Sequence, residues 1–198
     1  IIPVLLVNPE SPDQLSDMIS LIATATNTQD KADQLLDFIN QEKEMLTTSL
    51  ATADDTPNIY LAGNSSLLST AGPAMYQSGI IELAGGKNVA SDISDTYWAE
   101  ISYEQLLSWN PDYIILASDA EYTVDDVLSD PNLKDCTAVK NNHVYAIPGD
   151  IEALDSPVPA SILASIWLAG ILHPDQVSTD TYTKEMNSFY ETFYGIKK

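Results

Sequence analysis

The side chains best suited to holding a small molecule fall in a few short stretches. Tyr97-Trp98 is an aromatic pair beside the polar Asp95, in a stretch read as a loop, so its rings are available to stack on a ligand. Trp98 would equally plug a core, since tryptophan is on average mostly buried. Thr70-Ala71-Gly72 reads as a turn whose small residues let backbone amides approach a ligand. Asp150, Glu152 and Asp155 form an acidic loop that fits either solvated surface or a site for a hard cation. Glu104 falls in the first turn of a predicted helix, where a carboxylate stabilises the dipole without any partner. His143 and His173 have no second His or Cys at metal-ligand spacing, and both read as structural.

Covalent chemistry finds little support. Gly63-Asn64-Ser65-Ser66-Leu67 departs from the G-x-S-x-G nucleophile elbow, and no phosphate-cradling loop is present. An α/β hydrolase or phosphatase, the competing class, lacks its parts. An adhesion module would use the aromatic stretch from Tyr182 to Tyr194, but Tyr182, Met186, Phe189, Tyr190 and Phe193 sit at helical spacing. That spacing favours a terminal helix packed on the body.

The elements that must position these residues alternate along the chain. Asn58–Ala62, Tyr113–Leu116 and His143–Ile147 are short apolar runs, as strands covered on both faces read. Ser102 with Gln105, and Ser11 with Gln14, are capping-box pairs that start helices, the second with Pro12 at the first helical position. Residues 29–52 carry Leu35, Leu36, Ile39, Leu46 and Leu50 on one face of a long helix, which could reach between two lobes. Residues 63–73 read as a loop, 74–84 as a helix stopped by Gly85-Gly86, and Thr123 caps a short helix. Pro157 and Pro159 lead into a helix ending at His173-Pro174, and Ile1–Val7 reads as a buried strand. The pattern predicts an α/β three-layer sandwich with a mainly parallel sheet, its ligand loops at the carboxyl ends of the strands. The chain has 198 residues, 29 acidic side chains against 8 basic ones, and a formal charge of -21. Every basic residue is lysine, and the net charge argues against nucleic acid or an anionic membrane as a partner while permitting a basic protein surface. No stretch approaches the roughly 18 apolar residues of a membrane span, and the lone Cys136 forms no internal disulfide.

Four segments in order, residues 69–92, 97–116, 138–150 and 156–174, resemble the C-terminal lobe of the helical-backbone solute-binding proteins of ABC importers for iron-siderophores, haem and cobalamin. The resemblance implies residues 1–28 as the last strand and helix of an N-terminal lobe otherwise missing, 29–52 as the inter-lobe backbone helix, and 53–198 as the ligand-binding lobe. It implies a protein outside the cytoplasmic membrane, lipid-anchored or free, that performs no chemistry and needs no cofactor. Such a protein captures a metal chelate between its lobes and delivers it to a permease. Relatives of the same fold that bind molybdate or tungstate oxyanions are the alternative. The match gives Trp98 to the cleft lining, Glu104 to permease docking, and the Pro148-Gly149-Asp150 turn to a cleft-facing loop; Thr70, Gly72, Tyr97 and Glu152 complete the expected ligand wall. One departure is plain: many members carry arginine after the proline opening the corresponding helix, and here Ala160 follows Pro159. Self-association through the apolar stripe left by an absent lobe is also expected.

Overall fold

The computed structural model describes residues 2–93 and 97–197; Ile1 and Asp95 lie outside the described residues. Six strands form one sheet: β1 (Asn58–Ala62), β2 (Ser69–Ala71), β3 (Lys87–Asn88), β4 (Trp98–Glu100), β5 (Tyr113–Leu116) and β6 (Val144–Ala146). The order is β4-β2-β1-β5-β6, with β3 pairing on the start of β1. β1, β3, β5 and β6 run parallel, while β2 is antiparallel to both β1 and β4.

Strand alternation divides the interior into two cores, because successive side chains leave opposite faces. Ile59, Leu61 and Ile115 point to one face, where α1 (Pro12–Thr26), α2 (Gln29–Leu50), α3 (Tyr76–Leu83), α7 (Ile162–Leu172) and α8 (Thr179–Phe189) pack. Tyr60, Ile114 and Leu116 point to the other, under α4 (Tyr103–Trp109), α5 (Val124–Leu128) and α6 (Thr137–Lys140). The result is a three-layer α/β sandwich. α7 is apolar on every side and nine of its residues are buried, as expected of a helix enclosed by sheet and helices. Each fully buried Leu or Ile among these contributes about 1.5–3 kcal/mol.

Caps account for the helix limits. Ser11 Oγ accepts from the Gln14 N–H and Ser102 Oγ from the Gln105 N–H, so the serine half of each expected box is present. Asn110 closes α4 in the left-handed region at φ 44°, a conformation asparagine tolerates. At Thr123 the box is reciprocal with Asp126.

Several expectations are corrected. Residues 2–10 form no strand, and Ile2, Val4 and Leu6 are largely exposed, because a strand needs an edge to pair with and none is offered to them among the described residues. The loop expected over 63–73 contains β2, and the loop at Tyr97-Trp98 places Trp98 in β4. The long helix expected over 29–52 is present as α2, which packs on the body and buries Ala32, Ile39, Glu42 and Leu46. It packs on α1, α7 and α3, and its Phe38 ring meets Phe189 of α8.

Glu42 is a carboxylate in that interface. Burial, then repulsion from Glu185, raises its pKa to about 7, with Lys184 opposing. Folded Glu42 therefore holds a proton between roughly pH 4.5 and 7 that the unfolded chain has lost, and stability falls as pH rises through that window. We expect thermal melts to show higher stability at pH 5 than at pH 8, and Glu42→Gln to flatten the difference. An unchanged pH profile in that variant would remove Glu42 as its source.

Candidate functional site

The parallel register brings three loops to one edge. Ala62 pairs with Leu116 and Leu116 with Ala146, so β1, β5 and β6 end at the same level. The segments that leave there touch. Tyr122 Oη donates to the Gly63 carbonyl at 2.6 Å, and the Glu121 N–H donates to the Asn64 carbonyl at 2.8 Å. A Cβ on Gly149 would lie 2.9 Å from Ser118 Cβ, so glycine lets the β6 loop close on the β5 loop. This is the carboxyl edge at which α/β sheets hold ligands.

Trp98 reaches the same edge from the side. β4 is antiparallel to β2, itself antiparallel to β1, so β4 runs with β1, and Ala99 lies level with Thr70 and Ala62. A Cβ on Gly63 would meet Trp98 Cζ3 at 3.0 Å, which places the indole over the first residue after β1. Trp98 is 40% exposed and Tyr97 54%, so both rings keep a free face. Past Glu100 the chain enters α4, whose first turn presents Glu104 at this edge. Glu104 is exposed, and its pKa is lowered by its own backbone N–H and then by the Ser102 hydroxyl.

Not every expected wall residue faces outward. Thr70 is wholly buried and its Oγ1 donates to the Leu61 carbonyl at 2.7 Å, so the hydroxyl tethers β2 to β1 instead of presenting itself to a ligand. Gly72 is also buried; its N–H donates to the Tyr97 carbonyl at 2.7 Å, and its carbonyl accepts from the Ser78 hydroxyl. Both residues hold the edge from behind. Asp150 is exposed, while Glu152 is half-buried and accepts from Tyr190 Oη at 3.0 Å. Burial, then Glu152, raises the Tyr190 pKa. Asp155, expected on a solvated loop, is 3% exposed and bonded to Ser118. His143 stacks on Tyr113 and His173 bonds the Gly85 carbonyl, both away from the carboxyl edge. Among the described residues no group of three His, Cys, Asp or Glu side chains is placed to hold a metal ion.

Sequence reasoning missed Ser118, Tyr122, Gly149 and Asp155 as parts of one assembly. The signal for Asp155 was its place before Ser156-Pro157, where a carboxylate entering a proline-stiffened, buried segment requires a partner. Gly149→Ala should cost about 1–3 kcal/mol by overpacking Ser118, measured as a lower urea midpoint. A neutral outcome would show that the two loops part easily.

Comparison with known proteins supplies the family. The Periplasmic binding protein family matches residues 1–151. The molybdate-binding protein MolA of Haemophilus influenzae is 28% identical over 185 residues, covering 92% of this chain and 52% of MolA. Its molybdate-bound structure superposes with a TM-score of 0.82 over 94% of this chain and 57% of that one. The vitamin B12-binding protein of Salmonella choleraesuis is 29% identical over 119 residues, 60% of this chain and 44% of the relative. A periplasmic solute binding protein of Veillonella parvula shares the fold at a TM-score of 0.86 and 24% identity, over 100% of this chain and 61% of that one. The chain thus spans about half the length of the curated relatives it matches. The family acts outside the cytoplasm, and among the described residues no helix is long and apolar enough to cross a membrane. With its sandwich, its loop-bearing carboxyl edge and these relatives taken together, this chain belongs to the periplasmic binding protein family.

Proposed function

We propose that the protein is the extracytoplasmic substrate-binding component of an ABC importer, and that the carboxyl edge forms one wall of a cleft that captures a metal chelate for delivery to the permease. The observation that carries this reading is the composition of the edge. Trp98 and Tyr97 present free aromatic faces beside loops 63–68, 117–122 and 147–158, which contain no lysine, and the chain contains no arginine. Without a bidentate cation, a bare polyanion finds no charge to neutralise it in these loops. A chelate of low net charge, such as a corrinoid or a metal wrapped in its own ligand, stacks on the rings and hydrogen-bonds to the loops.

A second reading, capture of a bare oxyanion, is favoured by MolA, which aligns along 92% of this chain. The polar Asn64-Ser65-Ser66 segment beside Trp98 is where its donors would come from. Titration with cyanocobalamin and with molybdate separates the two readings.

Thr70 and Gly72 support the wall from behind, so the direct contacts proposed are Trp98, Tyr97, Asp150 and Glu152. In cyanocobalamin titrations by calorimetry, Trp98→Ala should lose about 1–3 kcal/mol of affinity, as for an aromatic anchor at a binding hot spot. Undiminished affinity would take Trp98 out of the site. Glu104, exposed at the same edge and fixed only by its own turn, is proposed to dock on a basic permease surface. Complementary charge of this kind governs orientation and on-rate more than ligand affinity. Transport assays with Glu104→Ala should therefore show slowed uptake with unaltered ligand binding, and normal uptake would discard the docking assignment.

A further inference from the structure

The end of β5 carries a bond that the reading above does not use. Asp155 Oδ1 accepts from the Ser118 backbone N–H at 3.3 Å and also from the Ser118 hydroxyl. Asp155 is 3% exposed, so it acts from behind the surface and not on a ligand directly. Ser118 is partly exposed in the loop that leaves β5, with Gly149 pressed against it. One buried carboxylate therefore ties the β5 loop to the segment that follows β6.

Hydrogen-bond accounting gives this tie a chemical meaning. A backbone N–H and a hydroxyl at the carboxyl end of a strand are the donors that a bare oxyanion needs, and here both are spent on Asp155. With its proton given away, the Ser118 hydroxyl turns only lone pairs outward. The carboxylate behind it sets a negative charge in a low-dielectric position, where repulsion of an anion is strongest. Asp119, Asp150 and Glu152 in the same two loops share that sign. Donors remain on the opposite side, in Asn64-Ser65-Ser66 and the Trp98 indole.

We propose that Asp155 is a positioning residue that sets the class of ligand: by taking both donors of Ser118 it closes the β5–β6 half of the edge to bare oxyanions and leaves it as an acceptor surface. The matching ligand is a bulky one with hydrogen-bond donors, such as amide groups, on its periphery. This rests on the reading that the edge is a ligand wall, yet it fails separately.

Calorimetry with sodium molybdate and with cyanocobalamin, on the unaltered protein and on Asp155→Asn, Asp155→Ala and Ser118→Ala, is the test. Molybdate binding should strengthen about tenfold or more in Asp155→Asn and Asp155→Ala, the scale of one charge-linked hydrogen bond. It should not strengthen in Ser118→Ala, which deletes the hydroxyl donor instead of freeing it. A merely structural clamp would not raise the molybdate-to-cyanocobalamin ratio in the Asp155 variants while leaving it unraised in Ser118→Ala. Asp155→Asn keeps the size of the side chain but removes the charge and leaves Ser118 only a weaker, neutral acceptor, so it reads the loss of repulsion even where the alanine variant, which frees both donors, fails to fold. Unchanged or weaker molybdate binding in Asp155→Asn overturns the proposal. Absence of cyanocobalamin binding to the unaltered protein counts against the chelate reading alone, and the molybdate comparison still judges Asp155.

Discussion

Parallel pairing of β1, β5 and β6 in matched register is the constraint on which the rest depends. Once Ile59 lies opposite Tyr113 and Leu116 opposite Ala146, all three strands end together and their side chains divide between two cores. A slip of one residue in β5 would send Ile115 to the face of α4 and Leu116 to the face of α7, exchanging both cores. Register therefore fixes more than stability. It fixes which loops meet, and so which side chains can share a ligand.

Around that edge the polar groups are mostly committed to holding the scaffold. Tyr122 and Thr70 give their protons to carbonyls of β1 and its loop, and Tyr60 gives its proton to the Leu67 carbonyl. Burial raises the pKa of Tyr60 and of Tyr122, so both remain protonated donors throughout the physiological range. Loops tethered this way need little ordering when a ligand arrives, which reduces the entropy lost on binding. On the proposed reading, recognition is left to aromatic faces, the Asn64-Ser65-Ser66 segment and a set of acceptors.

Much of this was legible in the sequence, for reasons that differ by element. β1 and β5 were readable because Asn58–Ala62 and Tyr113–Leu116 are apolar runs bounded by turn residues, and their burial on both faces demands that composition. The helix starts were readable because a cap is a local event, settled within four residues. β2 and β4 were not: three residues each, of small or mixed character, they are strands only because β2 pairs with β1 on one side and with β4 on the other. Trp98 could be placed at the edge, but Thr70 was assigned to the wrong side of it, since period-two alternation needs the strand to be known first. Asp155 before Ser156-Pro157 signalled a carboxylate in need of a partner, but the partner, Ser118, lies 37 residues earlier and leaves no local pattern.

The packing of Trp98 on Gly63 has an optical consequence. The chain has three tryptophans, and the other two are partly buried: Trp109 lies beside Tyr60 and Trp167 packs against the larger core. Trp98 is the half-open one, with its indole against a residue that has no side chain. Its emission is therefore the part of the spectrum most open to quenching by small solutes. On the proposed reading of the edge as a ligand wall, occupancy would be followed by light, without labelling the chain.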